Sequence, residues 1–233
     1  MNKVKLIIFD LDGVLVEAKN IHYNALNKAL GKDYSIDWNE HLSTYDGLKT
    51  NEKLNILSKE KNLPKKYHKT IWLKKQQYTL EALKKLQPSQ DLISCMELIV
   101  KEGYKIAVCS NSIRKTVLTV ISKLGIMEYM DLIISNEDVY NSKPHPEMYW
   151  KAMSKMSCLP EQTLIVEDSP YGLLAASRSK ANILRVKNPT EVNYKNINKK
   201  ITEIQMGNTN NKPKWVDKKL NVLIPMAGAG SRF

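Results

Sequence analysis

Residues 4–15 read VKLIIFDLDGVL, and this stretch decides the fold class. The run from residue 4 to residue 9 is rich in branched apolar side chains, which is typical of a buried parallel strand. Asp10 and Asp12 follow the strand at once, and Gly13 allows the backbone a tight path. Because the end of a buried strand is a rigid platform, we expect the two carboxylates to face the same ligand.

Four further runs of the same kind occur along the chain, with helical patterns between them. We predict strands over residues 105–109, 132–135, 163–166 and 183–186. Apolar side chains at helical spacing indicate helices over residues 91–102 and 114–124. Ser169 and Pro170 are typical of the N-cap and first position of another helix. This alternation predicts an α/β fold with a doubly wound parallel sheet of the Rossmann-like type.

The stretch 16–86 interrupts the alternation of strands and helices. It is rich in Leu, Lys, Glu, Asn and Gln, and three helical segments fit it, at about residues 22–30, 51–61 and 65–86. Helices above the carboxyl edge of a parallel sheet would cover the place where such sheets bind ligands. We therefore predict a core domain formed by residues 1–15 and 87–200, and an inserted helical cap formed by residues 16–86.

A second pair of acids follows another predicted strand. Glu167 and Asp168 come directly after residues 163–166, so they emerge at the same sheet edge as Asp10 and Asp12. Four converging carboxylates would repel each other, and a hard divalent cation resolves that repulsion. An oxygen-only ligand set suits Mg²⁺, so we predict a magnesium site made of these four residues. The structural alternative is that Glu167 and Asp168 favour the N-terminal dipole of the following helix.

The two N-terminal aspartates differ in the chemistry that we expect of them. An aspartate with an ordinary pKa of about 3.9 is ionised at neutral pH, so Asp10 is the candidate nucleophile. Asp12 is the candidate general acid and base. That role requires a raised pKa, and crowded carboxylates raise it.

Further polar candidates follow the other predicted strands. Ser110 ends the strand over 105–109, and its hydroxyl and the backbone N–H groups from Asn111 onward suit phosphoryl oxygens; a turn or N-cap serine is the plainer alternative. Lys143 lies in a loop that neighbouring prolines stiffen, where a point cation would balance an attacking carboxylate and a phosphoryl group. We interpret His22 and His145 as residues with minor roles.

Four motifs, each after a predicted strand, resemble those of the haloacid dehalogenase-like superfamily. They are FDLDGVL at 9–15, VCSNS at 108–112, KPHPE at 143–147, and EDS at 167–169 with Gly172, Ala175 and Ala176. The resemblance covers roughly residues 1–187. The helical insertion resembles the cap of the β-phosphoglucomutase and phosphoglycolate phosphatase branch.

The resemblance implies an enzyme, a Mg²⁺-dependent phosphatase that hydrolyses a small phosphomonoester through an aspartyl-phosphate at Asp10. It implies acid and base work by Asp12, and Mg²⁺ bound by Asp10, the backbone carbonyl of Asp12 and Asp168, with Glu167 in support. The alternative is a phosphomutase of the β-phosphoglucomutase type. Those enzymes carry an arginine shortly after a cap glycine, whereas residues 47–51 here read GLKTN, with Lys49 as a partial substitute, and this favours hydrolysis.

The composition of the chain limits which partners it could bind and in which compartment it could act. The chain has 36 basic and 24 acidic side chains, a net charge of +12, and its lysines are spread along the sequence. This indicates a solvated surface rather than a basic nucleic-acid-binding module, and no recognised nucleic-acid motif occurs. The three cysteines lie far apart, and Asp10 and Asp12 interrupt the N-terminal apolar run. We expect a cytoplasmic protein that acts on a small phosphorylated metabolite, without membrane or nucleic-acid partners.

The C-terminal stretch has a different character. The chain turns rich in Asn, Lys and Thr after residue 188, and we predict a linker over residues 201–219. An apolar run at 220–225 predicts a new strand that leads into MAGAGSRF at 226–233. This resembles the glycine-rich opening of the sugar-phosphate nucleotidyltransferases. We expect residues 220–233 to be the truncated start of such a domain, fused in a longer two-enzyme polypeptide, which favours a sugar phosphate as substrate.

Overall fold

Five parallel strands form the centre of the computed structural model, which describes residues 3–210 of the chain. The strands are β1 (Leu6–Phe9), β2 (Lys105–Cys109), β3 (Leu132–Ile134), β4 (Thr163–Glu167) and β5 (Asn182–Arg185). Their order in the sheet is β3-β2-β1-β4-β5, and every neighbouring pair is parallel. Each predicted strand is present to within two residues of its expected bounds, and the predicted α/β class is confirmed.

Helices cover both faces of this sheet. In chain order they are α1 (Lys19–Leu30), α2 (Trp38–Glu40), α3 (Thr50–Glu60), α4 (His68–Leu83), α5 (Gln90–Lys101), α6 (Arg114–Lys123), α7 (Glu147–Met156), α8 (Pro170–Ser179) and α9 (Tyr194–Asn210). Successive side chains of a strand point to opposite faces. Ile7 of β1 accordingly packs in the layer under α5, α6 and α9, whereas Ile8 packs in the layer under α7 and α8. The sheet is therefore doubly wound, as predicted.

The inserted module contains α1 to α4 and has an apolar core of its own. Leu26 of α1, Leu54 and Leu57 of α3, and Ile71 of α4 are buried together in it. The three helical segments predicted from the sequence correspond to α1, α3 and α4. The short α2 and the π-helical turn His41–Tyr45 that follows it were not predicted. The division into core and cap at residues 15/16 and 86/87 stays a prediction.

Helix α9 replaces the linker that the sequence predicts from residue 201. The polar composition of this stretch hides an apolar stripe, because Ile197 and Ile201 are buried against the core and Ile204 packs on it. A spacing of four and then three residues places the three side chains on one face of a helix. The rest of the predicted linker, residues 211–219, and the predicted nucleotidyltransferase-like stretch, 220–233, lie outside the described residues.

No helix within residues 3–210 is both long enough and apolar enough to cross a membrane. The longest of these helices, α9, has 17 residues, and Asn and Lys side chains are frequent along it.

The sheet brings the ends of three strands together at one edge. Phe9, the last residue of β1, pairs with Val108 of β2 on one side and with Val166 of β4 on the other. The chain segments that leave β1, β2 and β4 are therefore neighbours. Asp10, Ser110 and Asp168, all predicted for the site, directly follow these strands, so the topology itself brings them together.

Candidate active site

A cavity of about 280 Å³ lies between the carboxyl edge of the sheet and the cap. Its wall contains six of the seven residues predicted for the site, namely Asp10, Asp12, Ser110, Asn111, Lys143 and Asp168. The seventh, Glu167, has no exposed surface and is hydrogen-bonded to Lys143. The structure thus brings together side chains that are up to 158 positions apart in the sequence, as from Asp10 to Asp168.

Lys143 joins two buried carboxylates. Its Nζ atom is 2.5 Å from Asp10 Oδ1 and 2.7 Å from Glu167 Oε1. Burial lowers the pKa of Lys143, but the charges of Asp10 and Glu167 outweigh burial and hold the pKa well above its ordinary value. Lys143 therefore stays cationic beside the candidate nucleophile, as a charge-balancing role requires.

The pKa of Asp10 differs from the ordinary value assumed from the sequence. Burial raises it, Lys143 lowers it, and the neighbouring carboxylates of Glu167 and Asp168 raise it, with the net result well above the ordinary value. Like charges crowded in a buried place favour the protonated form of one of them. A divalent cation bound among these carboxylates would act in the opposite direction and favour ionised Asp10.

The geometry around Asp168 fits a bound cation. Single carboxylate oxygens of Asp10, Glu167 and Asp168 lie within 4.8 Å of one another. Asp168 Oδ1 is buried and accepts no hydrogen bond from the described residues, while Asp168 Oδ2 is 3.0 Å from Lys19 Nζ. Burial raises the pKa of Asp168 to about 6, against the attraction of the Lys19 ammonium group. A buried carboxylate oxygen without a partner is the kind of group that a hard cation satisfies.

Gly13 keeps the backbone clear of this carboxylate. Its φ angle is +89°, which L side chains rarely adopt, and a Cβ atom there would overlap the carboxylate of Asp168. Glycine at this position therefore serves the site and not only the turn.

Glu167 supports its neighbours through five hydrogen bonds. Oε1 accepts from Lys143 Nζ and, at 3.1 Å, from the Tyr149 hydroxyl. Oε2 accepts from the backbone N–H groups of Asp168 and Ser169, at 2.8 and 3.0 Å, and from the Ser169 hydroxyl at 3.3 Å. With both oxygens engaged, Glu167 is suited to orienting Lys143. Its support of a bound Mg²⁺, which the resemblance implies, stays a prediction.

Asp12 faces the cap. Its Oδ1 is 3.0 Å from His22 Nε2 on α1, and its Oδ2 accepts a 2.9 Å hydrogen bond from the Ser112 hydroxyl. Burial raises the pKa of Asp12, but the charge and hydrogen bond of His22 and the hydrogen bond of Ser112 outweigh it, and the pKa falls to about 2. The sequence-based expectation of a raised pKa is therefore wrong for this arrangement, because the partners across the cap interface are not visible in the sequence.

His22 belongs to a chain of three polar groups. Lys75 Nζ on α4 is 3.3 Å from His22 Nδ1, and His22 Nε2 contacts Asp12. If the ammonium of Lys75 donates to Nδ1, the proton of a neutral imidazole lies on Nε2 and donates to Asp12. The minor role predicted for His22 thus contrasts with its position as the link between cap and Asp12.

The side chain of Asn111 ties the Lys143 loop to the cap. Its Nδ2 donates to the backbone carbonyls of Gly47, at 2.9 Å, and Lys143, at 3.2 Å, while its Oδ1 accepts from the Lys143 N–H at 3.1 Å. Ser110 Oγ is almost fully buried and accepts from the Ser112 N–H at 3.0 Å. These bonds orient the loop after β2, and its role in substrate binding stays a prediction.

Sequence reasoning missed two lysines, Lys53 of α3 and Lys75 of α4, which line the cavity and are buried. In a lysine-rich chain, the sequence predicts surface positions for these lysines. The available signal was helical phase, because Lys75 lies four residues from Ile71 and four from Thr79, both buried on the same face.

Comparison with known proteins adds relatives of stated function. A family model described as haloacid dehalogenase-like hydrolase matches residues 7–186. The chain is 25% identical over 179 residues to a phosphorylated carbohydrates phosphatase from Thermotoga maritima, with 74% of this chain and 80% of that protein covered. It is 26% identical over 177 residues to pyrophosphatase PpaX from Oceanobacillus iheyensis, with 76% and 80% covered.

Solved structures show the same architecture. A β-phosphoglucomutase from Clostridium difficile matches with a TM-score of 0.76 at 22% identity, covering 87% of this chain and 99% of that one, which shows a shared fold. A structure described as a predicted phosphoglycolate phosphatase from Haemophilus somnus matches with a TM-score of 0.68 at 25% identity, covering 78% and 85%. Since the family model also spans well over half of the chain, the chain belongs to the haloacid dehalogenase-like hydrolase family, and its predicted classification as a hydrolase is confirmed.

Proposed function

We propose that the chain is a Mg²⁺-dependent phosphatase that hydrolyses a small phosphomonoester, such as a sugar phosphate, through an aspartyl-phosphate on Asp10. The observation that carries the proposal is the cluster of Asp10, Lys143, Glu167 and Asp168 at the sheet edge, opening into a cavity beneath the cap. Mg²⁺ would be held by Asp10, the backbone carbonyl of Asp12 and Asp168. When bound, it would neutralise charge on the carboxylates and the phosphoryl group.

The residues divide the reaction into two displacements. In the first, an Asp10 carboxylate oxygen bonds to phosphorus, the bond from phosphorus to the leaving oxygen breaks, and Asp12, which must enter this step protonated, gives that oxygen its proton. In the second, water attacks the phosphorus, Asp12 takes its proton, and inorganic phosphate leaves with Asp10 restored. Lys143 balances the negative charge, and Ser110 and the loop from Asn111 hold phosphoryl oxygens. The contacts of His22 and Ser112 keep Asp12 anionic, which suits the second displacement.

The names of two relatives indicate the class of substrate. The name of the Thermotoga maritima relative supports a phosphorylated carbohydrate, and that of the Oceanobacillus iheyensis relative supports pyrophosphate as a second candidate. A phosphomutase is less well supported, because no arginine lines the cavity formed by the described residues. We keep the cytoplasm as the proposed compartment, since Cys95, Cys109 and Cys158 are free, buried thiols.

The proposal predicts phosphate release that depends on both Mg²⁺ and Asp10. A panel of phosphorylated metabolites, assayed for inorganic phosphate with Mg²⁺ and with chelator, identifies a working substrate. Asp10→Asn should lower kcat on that substrate by roughly 10³-fold or more, because it removes the nucleophile. Asp33→Asn, at an exposed cap position, is the matched control and should keep normal activity. Near-normal turnover by the Asp10 variant would refute the assignment.

A further inference from the structure

We propose that Lys19 is a displaceable counter-ion of the metal site. Its ammonium group compensates the charge of Asp168 until Mg²⁺ binds, and Mg²⁺ must displace it to bind. The inference rests on the Mg²⁺ site of the proposed function. It goes further because it assigns to a residue of α1, outside the expected ligand set, control over how tightly the cation is bound.

Lys19 is placed against a carboxylate that the cation needs. It is the first residue of α1, and its Nζ atom is 3.0 Å from Asp168 Oδ2. The Asp168 side chain is only 2% exposed, so water screens its charge poorly. Opposite charges at such a distance attract each other more strongly in a poorly solvated place than at the surface. The Lys19 ammonium group therefore meets a large part of the demand for positive charge at Asp168.

Asp168 cannot attract two cations at full strength. Its Oδ1 is buried and accepts no hydrogen bond from the described residues, and Asp168 offers a ligand atom within 4.8 Å of those of Asp10 and Glu167. The two oxygens of a carboxylate share one negative charge, so a cation on either oxygen weakens the attraction for the other cation. A divalent cation bound there would also lie close enough to repel the Lys19 ammonium group. Binding of Mg²⁺ and the contact of Lys19 are thus in competition.

The surroundings of Lys19 allow its ammonium group to leave. Asp46 Oδ2 is 3.9 Å from Lys19 Nζ, so a second carboxylate is within reach, and the Lys19 side chain is 26% exposed. The flexible four-carbon stem of lysine lets Nζ turn towards Asp46 or towards water by rotation about side-chain bonds. Lys143, in contrast, is 3% exposed and paired with both Asp10 and Glu167. Of these two lysines, Lys19 is the one that a bound cation can displace.

Calorimetric titration of Mg²⁺ into chelator-treated protein tests the competition directly, with no substrate present. The variant is Lys19→Met, which keeps the length of the side chain and removes its charge. Lys28→Met, at an exposed position of the same helix, is the matched control. We expect Lys19→Met to lower the dissociation constant for Mg²⁺ by about tenfold or more, the scale of removing one nearby charge, while Lys28→Met leaves it unchanged.

Thermal unfolding separates a counter-ion from a residue that only stabilises the fold. Without Mg²⁺, Lys19→Met leaves the buried carboxylate of Asp168 without this counter-charge, so the melting temperature should fall below that of the wild type. With saturating Mg²⁺ the cation supplies the missing charge, and the difference should disappear. A difference of the same size with and without Mg²⁺ would show a purely structural contact and would overturn the inference.

The titration also distinguishes failure of this inference from failure of the proposed reaction. Mg²⁺ binding that Lys19→Met leaves unchanged or weakens would overturn the role of Lys19, whatever the phosphatase assay shows. Mg²⁺ binding that Lys19→Met tightens would support that role even if no phosphorylated metabolite is hydrolysed. No binding of Mg²⁺ to the wild type or to either variant would overturn both the metal site and the role of Lys19.

Discussion

The buried charged side chains of the site are held in place by residues that do not line the cavity themselves. Glu167 accepts hydrogen bonds from Lys143 and Tyr149. These bonds fix the position of Lys143, whose Nζ atom contacts Asp10. The sequence predicted Asp10, Lys143 and Glu167 because each directly follows a strand or lies in a stiff loop. It did not predict the role of Tyr149, because the helical pattern around Tyr149 does not show that its hydroxyl group reaches the carboxylate of Glu167 on β4.

Gly172 offers a residue-scale test of this support. It lies in the first turn of α8, and a Cβ atom there would overlap the carboxylate of Glu167. We expect Gly172→Ala to displace Glu167, loosen Lys143 and lower kcat by at least about tenfold, since misplacing a charge-balancing group costs transition-state stabilisation. Steady-state kinetics measure this. Gly207→Ala is the control, because a Cβ there meets nothing within 4 Å, and equal kinetics for both variants would contradict the argument.

Among the helices and strands, the sequence predicted the features that depend only on residues close together in the chain. Strand runs and the serine that caps α8 could be predicted, since Ser169 accepts a hydrogen bond from the backbone N–H of Gly172, three residues on. The buried faces of the cap helices were not readable. Lys53 and Lys75 look like surface residues until tertiary packing places them on a covered cavity wall, and a single sequence does not show which face is covered.

Burial of Lys53 predicts a stability cost in α3 that depends on pH. Its folded-state pKa of about 8 is below its ordinary value of 10.5, so below pH 8 it is charged in both states and the cost is fully present. Between pH 8 and 10.5 the folded protein loses the proton first, and stability rises with pH. Lys53→Met should therefore increase the free energy of unfolding by about 1–3 kcal/mol at pH 7, and by less near pH 10.

Denaturant unfolding at both pH values measures the effect of Lys53→Met. Lys59→Met, the exposed control on the same helix, should change stability little at either pH. A destabilised Lys53 variant would show that the ammonium group has a compensating partner in the folded protein.

Across the whole molecule, one sheet carries the candidate catalytic residues, and the inserted helical module lies across the cavity from them. The order of the motifs along the chain, each after a strand, was enough to predict this architecture, because parallel strands present their carboxyl ends at one edge. The C-terminal boundary was not predictable in the same way. The stretch that forms α9 is mostly polar, so its composition hides three isoleucines, Ile197, Ile201 and Ile204. Those isoleucines pack on one face of the core.

The last prediction concerns that boundary. Chains ending at residue 193 and at residue 210 differ by α9, whose Ile197 and Ile201 are almost fully buried. Burial of two such side chains contributes about 3–6 kcal/mol, comparable with the whole stability of many domains, so the shorter chain should unfold or aggregate. The chain ending at 210 should keep the melting temperature and phosphatase activity of the full chain, since it contains every residue assigned to the core and the site. Thermal unfolding and phosphate release of the three proteins decide the matter. A large loss in the chain ending at 210 would show that residues 211–233 contribute to this domain, against the prediction that residues 220–233 begin another one.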